Sequence, residues 1–364
     1  MKRSGHAIIP DGLKDIHAKV RKGQRLSADD GLSLFQHPDL HAVGYLANIV
    51  RERKNGNAAF YIRNRHLNYT NVCRNHCRFC SFSRPIDAPD AYVLSPSQIR
   101  EKLLNPGERP YAEVHIVGGV HPGLPYSYYL DLLHTVKETC PSATIKAFTM
   151  VELAQICEVS GKSREETVED LRKNGLDLLP GGGAEVFSER LHQETCPSKM
   201  TPDEWLSMAR LCHKSGLRSN ATMLYGYLET DEERVEHLLK LRTLQDETGG
   251  FVAFVPLSFQ TRNTDLSHLP GPSAETAIRV VAVSRLLLDN FDHVKAYWPF
   301  LTPKVAQVAL AYGADDLDGT VVEEHIGHKA GAASPQGLTP EDLVHLIREA
   351  GRDPVERDSF YRPV

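Results

Sequence analysis

The stretch AEVHIVGGVHPGLPYSYYLDLLHTVKETCPSATIKAFT, residues 112–149, reads as strand, helix, strand. Its β-rich ends, AEVHIVGG and TIKAFT, flank SYYLDLLHTVKETC, where apolar residues recur at helical spacing. Two strands joined by a helix run parallel in one sheet, because the crossover must carry the chain back to the starting edge. The same alternation extends both ways. Before it come FYIRNRHLNYTNV and the helix SPSQIREKLLN; after it come REETVEDLRKNG, LDLLPGGG, TPDEWLSMARLCHKSG, LRSNATMLYG, DEERVEHLLKLRTLQDETG, FVAFVPLSF and SAETAIRVVAVSRLLLDN. With the weaker HVKAYW and VALAYGADDLDG, close to eight units can be counted, which predicts an α/β fold closed as a (β/α) barrel of the TIM type. An open dinucleotide-binding sheet needs a Gly-rich turn after its first strand, and cysteines stand there instead.

Around the barrel the chain divides into three parts. Residues 1–55 read as an N-terminal helical extension, with Ser27 as an N-cap and Asn55-Gly56 as a stop. Residues 56–320 form the barrel, and 321–364 a tail packing on it, with a helix and an extended end. The Pro-rich loop PLSFQTRNTDLSHLPGPSAE and this tail are the segments able to close over a site at the C-terminal ends of the strands. A hydrophobic share of 41% against 24% charged residues suits a folded enzyme and excludes a disordered chain. The net charge of -5 gives no electrostatic reason to expect nucleic acid. No run of apolar residues reaches membrane-spanning length, and MKRSGHAIIPDGLKDIHAKV has charges where a secretory signal needs its apolar centre. No membrane partner and a cytoplasmic location are therefore expected.

NVCRNHCRFCSFSR, residues 71–84, places Cys73, Cys77 and Cys80 at C-x3-C-x2-C just after the first barrel strand. Three thiolates on one loop suit three corners of a cubane iron-sulfur cluster, leaving its fourth iron without a protein ligand. The alternatives are three unrelated buried cysteines or a structural zinc with His76 as fourth ligand, but His76 adjoins Cys77, and the loop would have to contort to turn both inward. The remaining cysteines, Cys140, Cys157, Cys196 and Cys212, have no usable spacing and read as small buried hydrophobes. Arg74, Arg78 and Arg84 flank the loop as solvated charges or as cations that raise a cluster's potential.

With Phe79 before its last cysteine, this loop resembles the signature of the radical S-adenosylmethionine (SAM) enzymes. The resemblance implies a 4Fe-4S cluster on Cys73, Cys77 and Cys80, SAM on the open iron, and Phe79 packed against the adenine. It also implies SAM contacts at Gly118 and Gly119, although Val120 stands where that family often has an acid, so only backbone contacts carry over. Glu185, beyond Gly181, Gly182 and Gly183, becomes a candidate for the SAM ribose or amino group; its bland alternative is an exposed carboxylate at a helix start.

HLNYTNVCRNHCRFCSF, PGGGAE, SNATMLYG, LQDETGGFVAFVPLSF and the tail segments ASPQGLT and AGRDPVERD resemble, over nearly the whole chain, the radical SAM enzymes of the futalosine route to menaquinone. SNATMLYG, ADDLDGTVVEEHIGHKAGA and PVERDSFY are more similar to the aminodeoxyfutalosine synthases than to the hydrogen-abstracting dehypoxanthine futalosine cyclases. This implies transfer of the SAM adenosyl group to 3-[(1-carboxyvinyl)oxy]benzoate, and a flavodoxin or ferredoxin as electron donor. Strand alternation sets His66, Asn68 and Thr70, then His115, then Arg218, Asn220 and Thr222 on inward faces. His66, His115 and Asn220 are the expected catalytic residues and neutral donors, and Arg218 and Arg262 the expected grips for the two carboxylates. For proton transfer, His121 or the group Glu324, His325 and His328 is available, although the helical spacing of Glu324 and His328 reads as a surface pair.

Overall fold

In the computed structural model, residues 9–104 and 109–364 are described; the first eight residues of the extension lie outside that set. Helices α1 (Lys14–Lys22), α2 (Ala28–Gln36) and α3 (Leu40–Asn55) precede the sheet. Ser27 caps α2 as expected, accepting from the Asp30 N–H while the Asp30 carboxylate accepts the Ser27 N–H. Strands β1 (Ala58–Ile62) and β2 (Asn64–Leu67) follow, then α4 (Pro96–Leu103), β3 (Glu113–Ile116), α5 (Tyr126–Thr139) and β4 (Thr144–Ala147). Next come α6 (Met150–Ser160), α7 (Arg164–Lys173), β5 (Leu178–Leu179), α8 (Glu189–Thr195), α9 (Pro202–Lys214) and β6 (Arg218–Tyr225). The chain continues through α10 (Asp231–Thr248), β7 (Phe251–Ser258), α11 (Ala274–Leu287), α12 (Trp298–Leu301), α13 (Pro303–Ala309) and β8 (Asp316–Gly319). It ends with α14 (Ile326–Lys329), α15 (Pro340–Glu349) and β9 (Asp353–Glu356).

Six strands form one parallel sheet in the order β2-β3-β4-β5-β6-β7, and β8-β1-β9 form a second. Single parallel bridges close the two into a ring: Phe254 with Val294, Lys295 with Asp316, and Arg65 with Val322. The stretch around Val294 and Lys295, inside the expected unit HVKAYW, therefore serves as a stave although it forms only isolated bridges. Sequence periodicity missed α6 and α8. Thr149 caps α6 by a reciprocal box with Glu152, a start signal hidden because the preceding strand runs almost into it. The segment after residue 320 also does more than pack on the barrel, since β9 pairs with β1 from Ala58↔Asp353 to Tyr61↔Glu356.

The lower interior of this barrel is charged where branched apolar residues usually fill such a core. Glu113 lies 2.5 Å from Lys146, Lys295 lies 2.9 Å from Asp318, and Arg357 lies 2.6 Å from Asp316, every one of these side chains being buried. Pairing is what makes such burial tolerable, because an isolated buried charge costs several kcal/mol. Outside the staves the apolar core runs continuously between strands and helices, with Trp205, Trp298, Phe148, Phe187 and Phe254 fully buried. Among the described residues no helix is long and apolar enough to cross a membrane.

Candidate active site

The loop after β2 crosses the C-terminal end of the barrel, held by backbone bonds to both sides. The Cys73 N–H donates to Arg84 at 3.0 Å, the Arg74 N–H to Val120 at 3.0 Å, and the Arg78 N–H to Thr195 at 2.9 Å. Cys80 closes a turn onto the Cys77 carbonyl at 2.9 Å. Cys73, Cys77 and Cys80 are free, half-buried thiols, and all three line one cavity of about 290 Å³. His76, with φ +45° and an exposed side chain, is not in its wall. Among the described residues no three His, Cys, Asp or Glu side chains are grouped to hold one metal ion.

Three soft donors spread around an open cavity fit the cluster that the loop's spacing implies. The backbone beside them is shaped for close approach. A Cβ on Gly119 would stand 2.2 Å from the Val72 carbonyl oxygen and 3.0 Å from the Cys73 Cβ, so only glycine lets the end of β3 meet the loop. On Gly118 it would strike the Tyr69 ring at 2.7 Å. Both glycine N–H groups are committed, Gly118 to Glu152 at 2.9 Å and Gly119 to Thr70 at 2.9 Å. What this turn can offer a ligand is therefore carbonyl oxygen, which suits an ammonium donor.

Glu152 organises that turn and was not foreseen. Its buried carboxylate also accepts from the Tyr69 hydroxyl at 2.9 Å and from the Thr149 N–H and hydroxyl at 2.8 Å each. Burial nonetheless pushes its carboxyl up to about 7. Lys199 was missed as well. Its largely buried ammonium pairs with Glu185 and lies 5.6 Å over the Phe79 ring. Burial opposes that charge, yet Glu185, Cys77 and Cys196 together hold the ammonium above its ordinary value. Glu185 is thus neither a free carboxylate nor an exposed one at a helix start: it occupies the cavity wall at φ +50° with a cation already attached. Phe79 lines the cavity and meets Tyr227 edge-on at 6.1 Å.

His66, His115, Asn68, Asn220 and Thr222 all line the cavity, on the inward faces that alternation assigned to them. The His66 and His115 rings are stacked, centroids 4.3 Å apart and 6° from parallel. Burial drives His66 down to about 4 and His115 well below its ordinary value. Arg218 does not join them. It shares a face with Asn220 and Thr222 but begins β6, exposed at the opposite end of the barrel, about 13 Å of strand below Thr222 at 3.3 Å per residue. Arg262 is also absent from the wall: its exposed side chain lies across Gly331 beside a separate groove. Among the described residues no arginine lines the main cavity, whose cations are Lys146 and Lys199.

Glu324 and His328 are not a surface pair. Glu324 is buried in the cavity wall, accepts the Gly327 N–H at 2.9 Å, and stands 3.0 Å from His328 Nδ1. That hydrogen bond pushes His328 up to about 9. Ile326, Gly327 and Ala330 from the same segment, with Phe259 and Gln260 from the loop after β7, complete the mouth of the cavity. His121 is buried outside it and accepts the Gly123 N–H at 3.0 Å. Arg74 and Arg84 are bound away from the thiols, to Glu158 and Asp90, and Arg78 to the Glu194 carbonyl. Cys157, Cys196 and Cys212 are buried as expected while Cys140 is half-buried, and Cys196 lies beside Cys77 and is electrostatically linked to it, a proximity that no spacing in the sequence signals.

Residues 67–241 match the family model described as the radical SAM superfamily, and 248–364 the CofH/MqnC C-terminal region. Over 97% of both chains the sequence is 42% identical to the aminodeoxyfutalosine synthase of Thermus thermophilus. It is also 42% identical to that of Streptomyces coelicolor, over 96% of this chain and 94% of the other. A Methanopyrus kandleri relative, 37% identical over 90% of each chain, is named 5-amino-6-(D-ribitylamino)uracil–L-tyrosine 4-hydroxyphenyl transferase. Among solved structures, methylornithine synthase superposes with a TM-score of 0.73 at 18% identity, covering 93% of this chain and 97% of the other. The FeFe-hydrogenase maturase of Carboxydothermus hydrogenoformans gives 0.73 at 16%, covering 96% and 80%. At those identities the likeness concerns the fold alone.

Proposed function

We propose an activity from one premise: the chain belongs to the radical SAM superfamily, in the branch that carries a CofH/MqnC C-terminal region. The activity is that of an aminodeoxyfutalosine synthase, joining the adenosyl group of SAM to 3-[(1-carboxyvinyl)oxy]benzoate with rearrangement and loss of a carboxyl group. The observation that carries it is identity of 42% over 97% of the chain with an enzyme of that name, together with three free thiols around one deep cavity.

Cys73, Cys77 and Cys80 would hold the 4Fe-4S cluster, and Gly118, Gly119 and Phe79 would border SAM. When bound, cluster and SAM supply an adenosyl radical from one electron, for which a small electron carrier such as a flavodoxin or ferredoxin is the proposed donor. The protein's own work is then positioning and exclusion of water. The Glu152 carboxylate fixes the Gly118 turn, Lys199 and Glu185 hold charge beside the thiols, and the segment around Glu324 covers the mouth. Apolar side chains at Val255, Leu257 and Phe300 offer a wall for an aryl ring, and His66, His115 and Asn220 polar groups within reach of it.

The test is a labelled product assay. Protein reconstituted anaerobically is supplied with reductant, acceptor and SAM labelled in its adenosine. Label in an adduct of adenosine and acceptor supports the synthase. Label released as free 5'-deoxyadenosine with acceptor present rejects it in favour of hydrogen abstraction, the chemistry of the sister cyclase. Replacing Cys77 by Ala should remove both the cluster's paramagnetic signal and the product.

A further inference from the structure

His66, His115 and Lys146 stand in register on three adjacent strands: His66 pairs with His115 across β2 and β3, and His115 with Lys146 across β3 and β4. All three are in the cavity wall, below the cysteine loop, and together they make one row of nitrogens across its floor. Neither imidazole has a hydrogen-bond partner among the described residues, and His66 Nε2 and His115 Nδ1 are orphaned inside the protein. Asn68 Oδ1, one step above His66 on the same face, is orphaned too. Buried polar groups without partners are costly and rare, and two unpartnered imidazoles side by side in a cavity wall point to a ligand reaching the ring nitrogens that face it.

The surrounding charges select its sign. Lys146 and Lys295 both face His115, and among the described residues Lys146 has one ion-pair partner, Glu113, for its three N–H groups. The carboxylates that face His66, Glu324, Asp318 and Glu113, are already taken by His328, Lys295 and Lys146. Two neutral imidazoles can each donate one N–H, and an ammonium beside them favours an anion over a metal cation. A carboxylate, with two oxygens and room for several donors, matches that row.

The depth of the row says which carboxylate. Gly118 lies three residues beyond His115 on the same line, about 10 Å nearer the cysteine loop at 3.3 Å per residue. The enol ether of the acceptor must lie at the SAM end, with its own carboxylate attached there. Its ring carboxylate, meta on the benzene, points the other way. We infer that His66, His115 and Lys146 seat the ring carboxylate of the acceptor at the cavity floor, an inference that rests on the acceptor proposed above.

The experiment is calorimetric titration of the anaerobic, cluster-loaded enzyme without reductant, so that nothing turns over. Two probes are compared, 3-[(1-carboxyvinyl)oxy]benzoate and the same enol ether lacking the ring carboxylate. His66→Leu and His115→Leu should each weaken the first about tenfold or more, the worth of a charge-assisted hydrogen bond, and leave the second within about twofold. His115→Gln, which keeps a donor, should recover part of the loss. Equal weakening of both probes would mean a packing role and overturn the inference, as would no change in either. Wild-type enzyme that binds neither probe would instead overturn the acceptor assignment itself.

Discussion

The bond between Glu324 and His328 should make closure of the cavity mouth sensitive to alkaline pH. His328 is raised from 6.5 to about 9, first by its hydrogen bond to Glu324 and then by the Glu324 and Ser334 carbonyls. A raised folded value means that the stabilisation is fully present below pH 6.5 and is lost as pH rises through about 9. At 1.36 kcal/mol per pH unit this gap is worth roughly 3 kcal/mol, or about a hundredfold in the local opening equilibrium. Glu324, held below its ordinary value, contributes stability that is lost only as pH falls through that lowered value. Other groups facing the pair include His66, His325 and Tyr297, of which the two histidines are depressed by burial and the tyrosine is raised far beyond the window. The assay is amide exchange of peptides covering residues 324–334, corrected for intrinsic rate, between pH 6 and 10.5. Protection should be greatest near pH 6, fall steadily between about pH 6.5 and 9 by up to about a hundredfold, and level off above that, while His328→Gln should start low and remain flat. A wild-type profile parallel to that of the variant would refute the reasoning.

Other consequences of the geometry can be tested as directly. Gly119→Ala, whose Cβ would lie 2.2 Å from the Val72 oxygen, should displace the cysteine loop and lower iron per chain after reconstitution; Gly123→Ala, with its nearest contact at 3.6 Å, should not. Arg357→Met leaves the buried Asp316 without its 2.6 Å partner and should cost about 3–5 kcal/mol in denaturant unfolding. Arg218→Ala should leave KM for the acceptor and kcat within about twofold, because the side chain is exposed at the far end of β6 from the cavity.

What the sequence determined by itself was periodic or local. The alternation from AEVHIVGG to FVAFVPLSF was enough for a parallel barrel, and C-x3-C-x2-C was enough for three thiols on one loop at its active end. Period two also assigned the correct face to His66, His115 and Asn220. Tertiary structure decided everything that depends on height in the barrel or on which distant loops meet. Period two says that Arg218 and Thr222 share a face, but not that one stands at the floor's outer end and the other in the cavity. Spacing of four makes Glu324 and His328 neighbours, but only the folding of the tail over the mouth buries them. Lys146 was readable as an inward charge at mid-strand; its place in a row with two unpartnered histidines was not, since register between strands is set by packing across the whole sheet. The contacts of Cys196 with Cys77, and of Lys199 with Glu185, arise because the turn after β5 and α8 folds back against the cysteine loop, and no local pattern encodes a meeting of that kind.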